Sequence, residues 1–197
     1  MSLSRSLKGS IALVTGAGSG MGRATAEIFG AEGAHVAVTD FNAGTAEATA
    51  EAIRQAGGSA QAWALDVSNA DQVRTVTEAV AARFGGLDIL INNAGISAFS
   101  PIDSPDYDAV WAKSLAVELG KEGITVNCIC PGPILTGMTD RIPDADRATY
   151  ARRRTALGRY GDPAEVGHMT VSLCLPGASF ITGVTIPVDG GLMARNA

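Results

Sequence analysis

Short apolar runs of about five residues, rich in Val and Ile, alternate with Ala-rich stretches of helical period along the first half of the chain, and few folds accommodate that rhythm. Ser10 to Thr15 (SIALVT) reads as a strand and about Met21 to Glu32 as a helix. His35 to Thr39 and Thr45 to Ala56 repeat the pair, then Gln61 to Leu65 and about Asn69 to Phe84, before a fourth run, Leu87 to Ile91 (LDILI). A strand with one wet face alternates apolar and polar residues. These runs are nearly continuous in apolar character, so they predict strands covered on both faces. Strands separated by helices in this way form parallel sheets through right-handed crossovers. The expectation is an α/β fold with a doubly wound parallel sheet. Against a prior of roughly 150 residues per domain, the 197 residues are read as one domain.

Past Ile91 the rhythm changes. A polar, Pro-containing stretch, Ser97 to Pro105, leads into Asp106 to Gly120, and the next strand is read at Ile124 to Ile129 (ITVNCI). Pro131-Gly132-Pro133 follows, then a polar and basic stretch from Thr139 to Arg159, a helix around Ala164 to Leu173 and a final strand near Val184 to Val188. There is no internal repeat and no linker long enough to divide the chain.

Charge and composition narrow the function. Fifteen basic residues against 20 acidic ones leave a net charge of −5, which argues against a nucleic-acid partner, because neutralising phosphates requires a basic face. No apolar run approaches the roughly 20 residues of a membrane span, and Met1 to Gly9 has the character of neither a signal nor a transit peptide. A cytoplasmic protein without a membrane partner is expected. Cys128, Cys130 and Cys174 cannot all pair, so three buried thiols are expected rather than a disulfide scaffold. Glycine is the outlier, at 24 of 197 residues, so many backbone positions here need special conformations.

The most informative glycines follow the first strand directly. SIALVT runs into Gly16-Ala17-Gly18-Ser19-Gly20-Met21-Gly22, and a helix opens at once. Glycine there allows positive φ, lets backbone approach a pyrophosphate and permits close packing of helix on strand, while the helix N-terminus offers free N–H groups to phosphate. Asp40 lies twenty residues beyond Gly20 at the end of the second strand, where a carboxylate accepts hydrogen bonds from a ribose 2′-hydroxyl. That carboxylate would repel a 2′-phosphate, and neither Ser19 nor Phe41 supplies a base to receive one, so the cofactor is read as NAD rather than NADP.

Thr15-Gly16-Ala17-Gly18-Ser19-Gly20-Met21-Gly22 resembles the T-G-x-x-x-G-x-G fingerprint of the short-chain dehydrogenases/reductases, and Asn92-Asn93-Ala94-Gly95 resembles their N-N-A-G motif. Leu65-Asp66-Val67, Pro131-Gly132 with Thr136, and Val188-Asp189-Gly190-Gly191 match in the same order, so the resemblance spans nearly the whole chain. It implies a Rossmann-type fold and a cofactor site made of Gly16, Ser19, Gly20, Met21, Asp40 and Phe41, with Asp66 and Val67 at the adenine. Asn93, Ala94 and Gly95 would line the cleft, and Pro131, Gly132, Ile134 and Thr136 would touch the nicotinamide end. Residues 137–159 would form a substrate lid. It further implies a small alcohol or ketone substrate and a homodimer or homotetramer, with a contact around Val188 to Leu192.

The chemistry of that family rests on a Ser, and on a Tyr and a Lys in a Y-x-x-x-K pair. Here Tyr107 plus four is Trp111, Tyr150 plus four is Arg154 and Tyr160 plus four is Ala164, so no pair exists and no catalytic residue is assigned. Lys113 does not rescue Tyr107, because six residues on a helix leave them some 120° out of alignment. Asp106 to Trp111 resembles the start of the helix after N-N-A-G, and Lys113 to Gly120 the end of the next one. What the family has between them, including the Ser-bearing strand, is on the order of 40 to 60 residues. The missing segment therefore falls between Trp111 and Lys113. Either the chain carries an internal deletion, or the sequence as written joins two stretches across a segment it omits. A covalent deletion predicts one continuous helix from about Pro105 to Leu119.

Other chemistry-bearing residues have bland readings. Tyr150 with Arg154 reads as part of a solvated lid helix, Arg152-Arg153-Arg154 as an exposed face, and His35 and His168 as satisfied structural histidines. Ser97 borders the presumed pocket but lacks a base. No His/Cys/Asp cluster has metal-ligand spacing, so no metal site is assigned. Two functions remain open: an NAD(H)-dependent oxidoreductase interconverting a secondary alcohol and a ketone, and a catalytically inactive NAD-binding or interaction protein produced by an internal deletion.

Overall fold

A computed structural model describes residues 5–95 and 107–195. The chain divides into two compact units, Ser4–Gly95 and a second taking in residues 96–197.

The first unit holds β1 (Ile11–Thr15), α1 (Gly20–Ala31), β2 (His35–Asp40), α2 (Ala43–Gln55), β3 (Ser59–Ala64), α3 (Ala70–Phe84) and β4 (Ile89–Ile91). All strands are parallel in the order β3-β2-β1-β4, with Val14 opposite Val38 and Ile91, and Thr39 opposite Trp63. This is the α/β, doubly wound arrangement that the sequence predicts. On one face Ile11, Leu13 and Ala37 pack with Val76 and Val80 of α3. The alternate positions, Ala12, Val14, Val36 and Val38, are also buried; they point to the other side of the sheet, where α1 and α2 pack. Burial on both faces is why the runs show no polar alternation. The close approach of α1 to α2 depends on Gly30, whose added Cβ would stand 2.4 Å from Ile53 Cγ2. Asn42 and Asn69 cap α2 and α3, each accepting two backbone N–H groups. β4 begins two residues later than read, because Asp88 Oδ2 accepts the Ile11 N–H at 2.8 Å where the strand ladder would otherwise start.

The second unit holds α4 (Tyr107–Leu119), β5 (Cys128–Pro131), α5 (Asp144–Arg154), α6 (Pro163–Cys174), β6 (Thr185–Val188) and α7 (Leu192–Arg195). α4 runs through Trp111 to Lys113 as one helix. β5 and β6 form a separate parallel pair. The strand read at Ile124 to Ile129 starts at Cys128 instead. The preceding residues are fastened by side chains: Val126 N donates to Thr182 Oγ1, and Asn127 Nδ2 donates to the Ile181 carbonyl. None of the three cysteines is in a disulfide, and each is only part-buried, which corrects the expectation of buried thiols. Burial still raises the Cys174 thiol to about 11. His35 is satisfied by Ser59 Oγ at 2.9 Å and stacks on Phe84, whereas His168 faces solvent on α6 and is not a core histidine.

Candidate functional site

The glycine turn between β1 and α1 is fastened residue by residue to the strands beside it. Asn93 Nδ2, just past β4, donates to the carbonyls of Thr15 and Gly16 at 2.9 and 3.3 Å. The Thr15 hydroxyl accepts the N–H groups of Asn93 and Ala94, both at 3.0 Å, and donates to the Ile91 carbonyl. Ala17 N donates to the Thr39 carbonyl, and Gly18 N donates to Asp40 Oδ2 at 2.9 Å. The other Asp40 oxygen accepts the Asn42 N–H at 2.9 Å.

Three glycines allow this closeness. Gly16 has φ +63°, and a Cβ there would meet Ala94 Cα at 2.8 Å. A Cβ on Gly18 would stand 2.3 Å from Thr45 Oγ1, and one on Gly22 2.2 Å from the Gly16 carbonyl oxygen. Real side chains do not fit such gaps, so only glycine lets the turn pack this closely on Ala94, Thr45 and the start of α1. Ser19 is the N-cap of α1 yet its side chain makes no capping hydrogen bond, unlike Asn42 and Asn69. The turn therefore presents glycine backbone and an uncapped helix start, the donor set that a pyrophosphate requires. The residues present fit a dinucleotide.

Gly16, Ser19, Gly20, Met21, Asp40, Phe41, Asp66, Val67, Asn93, Ala94 and Gly95 all lie at or just beyond the C-terminal ends of the four parallel strands. Phe41 is 79% exposed and Val67 47%, leaving both apolar surfaces available beside the strand ends. Asp66 Oδ1 accepts both the N–H and the hydroxyl of Ser68, which together hold its carboxyl below the usual range.

Pro131, Gly132, Ile134 and Thr136 lie together in the second unit, at and just past the end of β5. Gly132 N donates to the Val188 carbonyl, and a Cβ on Gly132 would meet Asp189 Cα at 2.5 Å. Ile134 is buried, its Cδ1 lying 2.7 Å from where a Cβ of Gly161 would stand, so only its backbone remains for a ligand. Thr139 shapes the loop: its hydroxyl accepts the Thr136 N–H at 3.0 Å and lies 2.9 Å from the Thr136 carbonyl. A cavity of about 270 Å³ lies beside Pro133, Ile134, Arg159, Gly161 and Asp189. The following residues form α5, whose Arg152, Arg153 and Arg154 are exposed. Tyr150 and Tyr160 pack at 6.2 Å, and burial, then Tyr150, push the Tyr160 phenol up. Ser97 lies outside the described residues, as do the side chains of Tyr107 and Trp111.

Sequence reasoning assigned no role to Thr45 or Thr139, and met Thr15 only as the first letter of the fingerprint. Only the fold shows which backbone groups these hydroxyls meet.

Comparison with known proteins agrees with this geometry. The profile described as short chain dehydrogenase matches residues 10–112, and a second, described as enoyl-(acyl carrier protein) reductase, matches 109–193. A 3-oxoacyl-(acyl-carrier-protein) reductase of Thermotoga maritima is 29% identical over 244 positions, covering 95% of this chain and 99% of the relative. Since 95% of this chain is about 187 residues, about 57 aligned positions have no residue here. The two profile matches meet at residues 109–112, where the sequence places its missing segment. Among solved structures, a 7α-hydroxysteroid dehydrogenase complexed with NADH and 7-oxo glycochenodeoxycholic acid is 26% identical with a TM-score of 0.87, covering 94% of this chain and 95% of that one. L-sorbose reductase from Gluconobacter frateurii, complexed with NADPH and L-sorbose, is also 26% identical with a TM-score of 0.86, covering 98% and 99%.

Proposed function

The chain belongs to the short-chain dehydrogenase/reductase family of oxidoreductases, with a Rossmann-type α/β fold, and from that premise we propose an NAD(H)-dependent role in interconverting a secondary alcohol and a ketone. The observation that carries the reading is the glycine turn with Asp40 beside it. Gly16, Ser19, Gly20 and Met21 would hold the pyrophosphate, Asp40 and Phe41 the adenosine ribose, Asp66 and Val67 the adenine. Asn93, Ala94 and Gly95 would line the cleft, and Pro131, Gly132, Ile134 and Thr136 would meet the nicotinamide end. The bound nicotinamide supplies the hydride chemistry. The chain's own residues bind and orient it.

Relatives use both nicotinamide cofactors, one structure holding NADH and another NADPH, so the choice rests on this chain's Asp40. A carboxylate accepts ribose hydroxyls and repels a 2′-phosphate. NADH should therefore bind well and NADPH poorly, and Asp40→Ala should weaken NADH while narrowing the difference. Nucleotide fluorescence titration decides this; equal affinity for both in the unmutated protein overturns the assignment. With this role go a cytoplasmic location, one domain over residues 1–197, a substrate lid over 137–159 and a homodimer or homotetramer.

A second reading is favoured by the absence of any Tyr-x-x-x-Lys pair from the sequence. Under it the chain holds NAD(H) without turning it over, as the product of an internal deletion. Intact mass separates the two: about 20.1 kDa supports the deletion, and several kDa more supports a complete enzyme.

A further inference from the structure

We infer that Asp40 is a positioning residue for the phosphate-binding turn, holding it in its binding shape through the Gly18 N–H before any nucleotide arrives. The inference rests on the nucleotide reading above but assigns Asp40 a task separate from contact with the ribose. Both carboxylate oxygens are engaged within the chain: Oδ2 accepts Gly18 N and Oδ1 accepts Asn42 N. Asn42 is the N-cap of α2, its own side chain accepting Gly44 N and Thr45 N. Thr45 in turn lies against Gly18, where a Cβ would stand 2.3 Å from its hydroxyl. Asp40 thus ties the middle of the turn to the start of α2, and Thr45 closes the same gap from the other side.

The remaining ties show why the middle one matters. Gly16 is held from β4 by Asn93 and Ala17 by the Thr39 carbonyl. Gly18 is the third consecutive turn residue fastened to a neighbouring strand, and the only one of the three held by a charged group. Gly18 has no Cβ, so its own side chain cannot restrict it. A carboxylate offers about four lone-pair sites, so the two backbone bonds leave capacity for ribose hydroxyls. The same residue can therefore shape the turn and recognise the sugar.

The test uses a probe without ribose hydroxyls, 2′,3′-dideoxyadenosine diphosphate, on the full chain and its Asp40→Asn and Asp40→Ala variants. Both variants remove the charge, and only Asn keeps an acceptor oxygen for Gly18, so changed repulsion of the diphosphate cancels between them. The expected result is that Asp40→Ala binds the probe about ten-fold more weakly than Asp40→Asn, the scale of a hydrogen bond to a preorganised group. In the nucleotide-free proteins, the Gly18 amide should exchange with solvent slowly in the wild type, comparably in Asp40→Asn and at least ten-fold faster in Asp40→Ala. Asn42→Ala, which removes the α2 cap without removing an acceptor from Gly18, should leave that amide protected. Equal probe affinity for Asn and Ala variants, or unchanged Gly18 exchange in Asp40→Ala, overturns the inference. Failure of the wild type to bind NADH would instead sink the cofactor reading, while the exchange measurement still decides the role of Asp40 in the turn.

Discussion

Gly22→Ala puts one methyl where the structure has no room. Its Cβ would stand 2.2 Å from the Gly16 carbonyl oxygen and 2.4 Å from Asn93 Nδ2. The nearest atoms are backbone, so α1 must move off the turn or the turn must open. Overpacking of this kind costs about 1–3 kcal/mol. Displacing Asn93 forfeits its hydrogen bonds to the Thr15 and Gly16 carbonyls, each worth about 1 kcal/mol. Against this, alanine in a helix interior gains about 1 kcal/mol over glycine. The net is a loss of about 2–4 kcal/mol, which in a chain of this size lowers the melting temperature by roughly 4–16 °C. The same displacement moves the turn, so NADH affinity should fall with stability. Gly120→Ala is the control: nothing lies within 4 Å of its Cβ and its φ is not positive, so it should melt within about 0.5 kcal/mol of the wild type. Thermal unfolding and NADH titration of the three proteins decide the matter. If Gly22→Ala melts with the wild type and binds NADH equally well, the close approach of α1 to the turn is not what shapes the site.

Glu165 accepts two hydrogen bonds from Arg159 at 2.7 Å, and its carboxyl is held well below its ordinary 4.5, at about 2. A depressed carboxyl stabilises the fold above its ordinary value and loses that effect as pH falls toward 2. The wild type should therefore outlast Glu165→Gln above about pH 5, and the gap in melting temperature should close between pH 4.5 and 2; a gap independent of pH would refute the ion pair's role. The proposed self-association predicts sedimentation faster than a 20.1 kDa monomer, and monomer at all concentrations would count against it. If the deletion is covalent, the 197-residue chain should show no alcohol-dependent reduction of NAD. Robust turnover that survives Tyr107→Phe, Tyr150→Phe and Tyr160→Phe would show that the acid has been misassigned.

The first unit was legible because its signals are local. Runs such as SIALVT and HVAVT are apolar on both faces, and the structure buries both faces. The glycine turn follows its strand at once, and Asp40 ends the next one. Beyond Gly95 the signals weaken. In ITVNCI, β-branched residues suggested a strand, but Thr182 takes the Val126 N–H and the Asn127 side chain takes the Ile181 carbonyl, so pairing is delayed to Cys128. Whether a thiol in β5 or a histidine in α6 is buried depends on what packs above it, which periodicity does not report. Ile134 illustrates the same limit, since a motif places it at the nicotinamide while its side chain turns into Gly161. The hydroxyls of Thr15 and Thr139 act on backbone groups brought close only by folding.

The distribution of the ties explains how a chain can retain a cofactor turn while lacking a proton donor. Among the described residues, the hydrogen bonds that fasten residues 16–18 come from Thr39, Asp40 and Asn93, all of which precede residue 96. The core beneath the turn likewise closes within that unit, through Leu13, Ala37, Val76 and Val80. Removal of a segment after Trp111 therefore leaves the turn's fastening intact. Among the described strands β4 pairs with β1 alone, and Leu90 is 52% exposed. A short strand with an apolar residue and one free edge is a hazard for association, not for nucleotide binding. The turn and Asp40, which would hold the pyrophosphate and the ribose, are thus encoded before the junction and keep their fastening whether or not a Tyr-x-x-x-Lys pair is present.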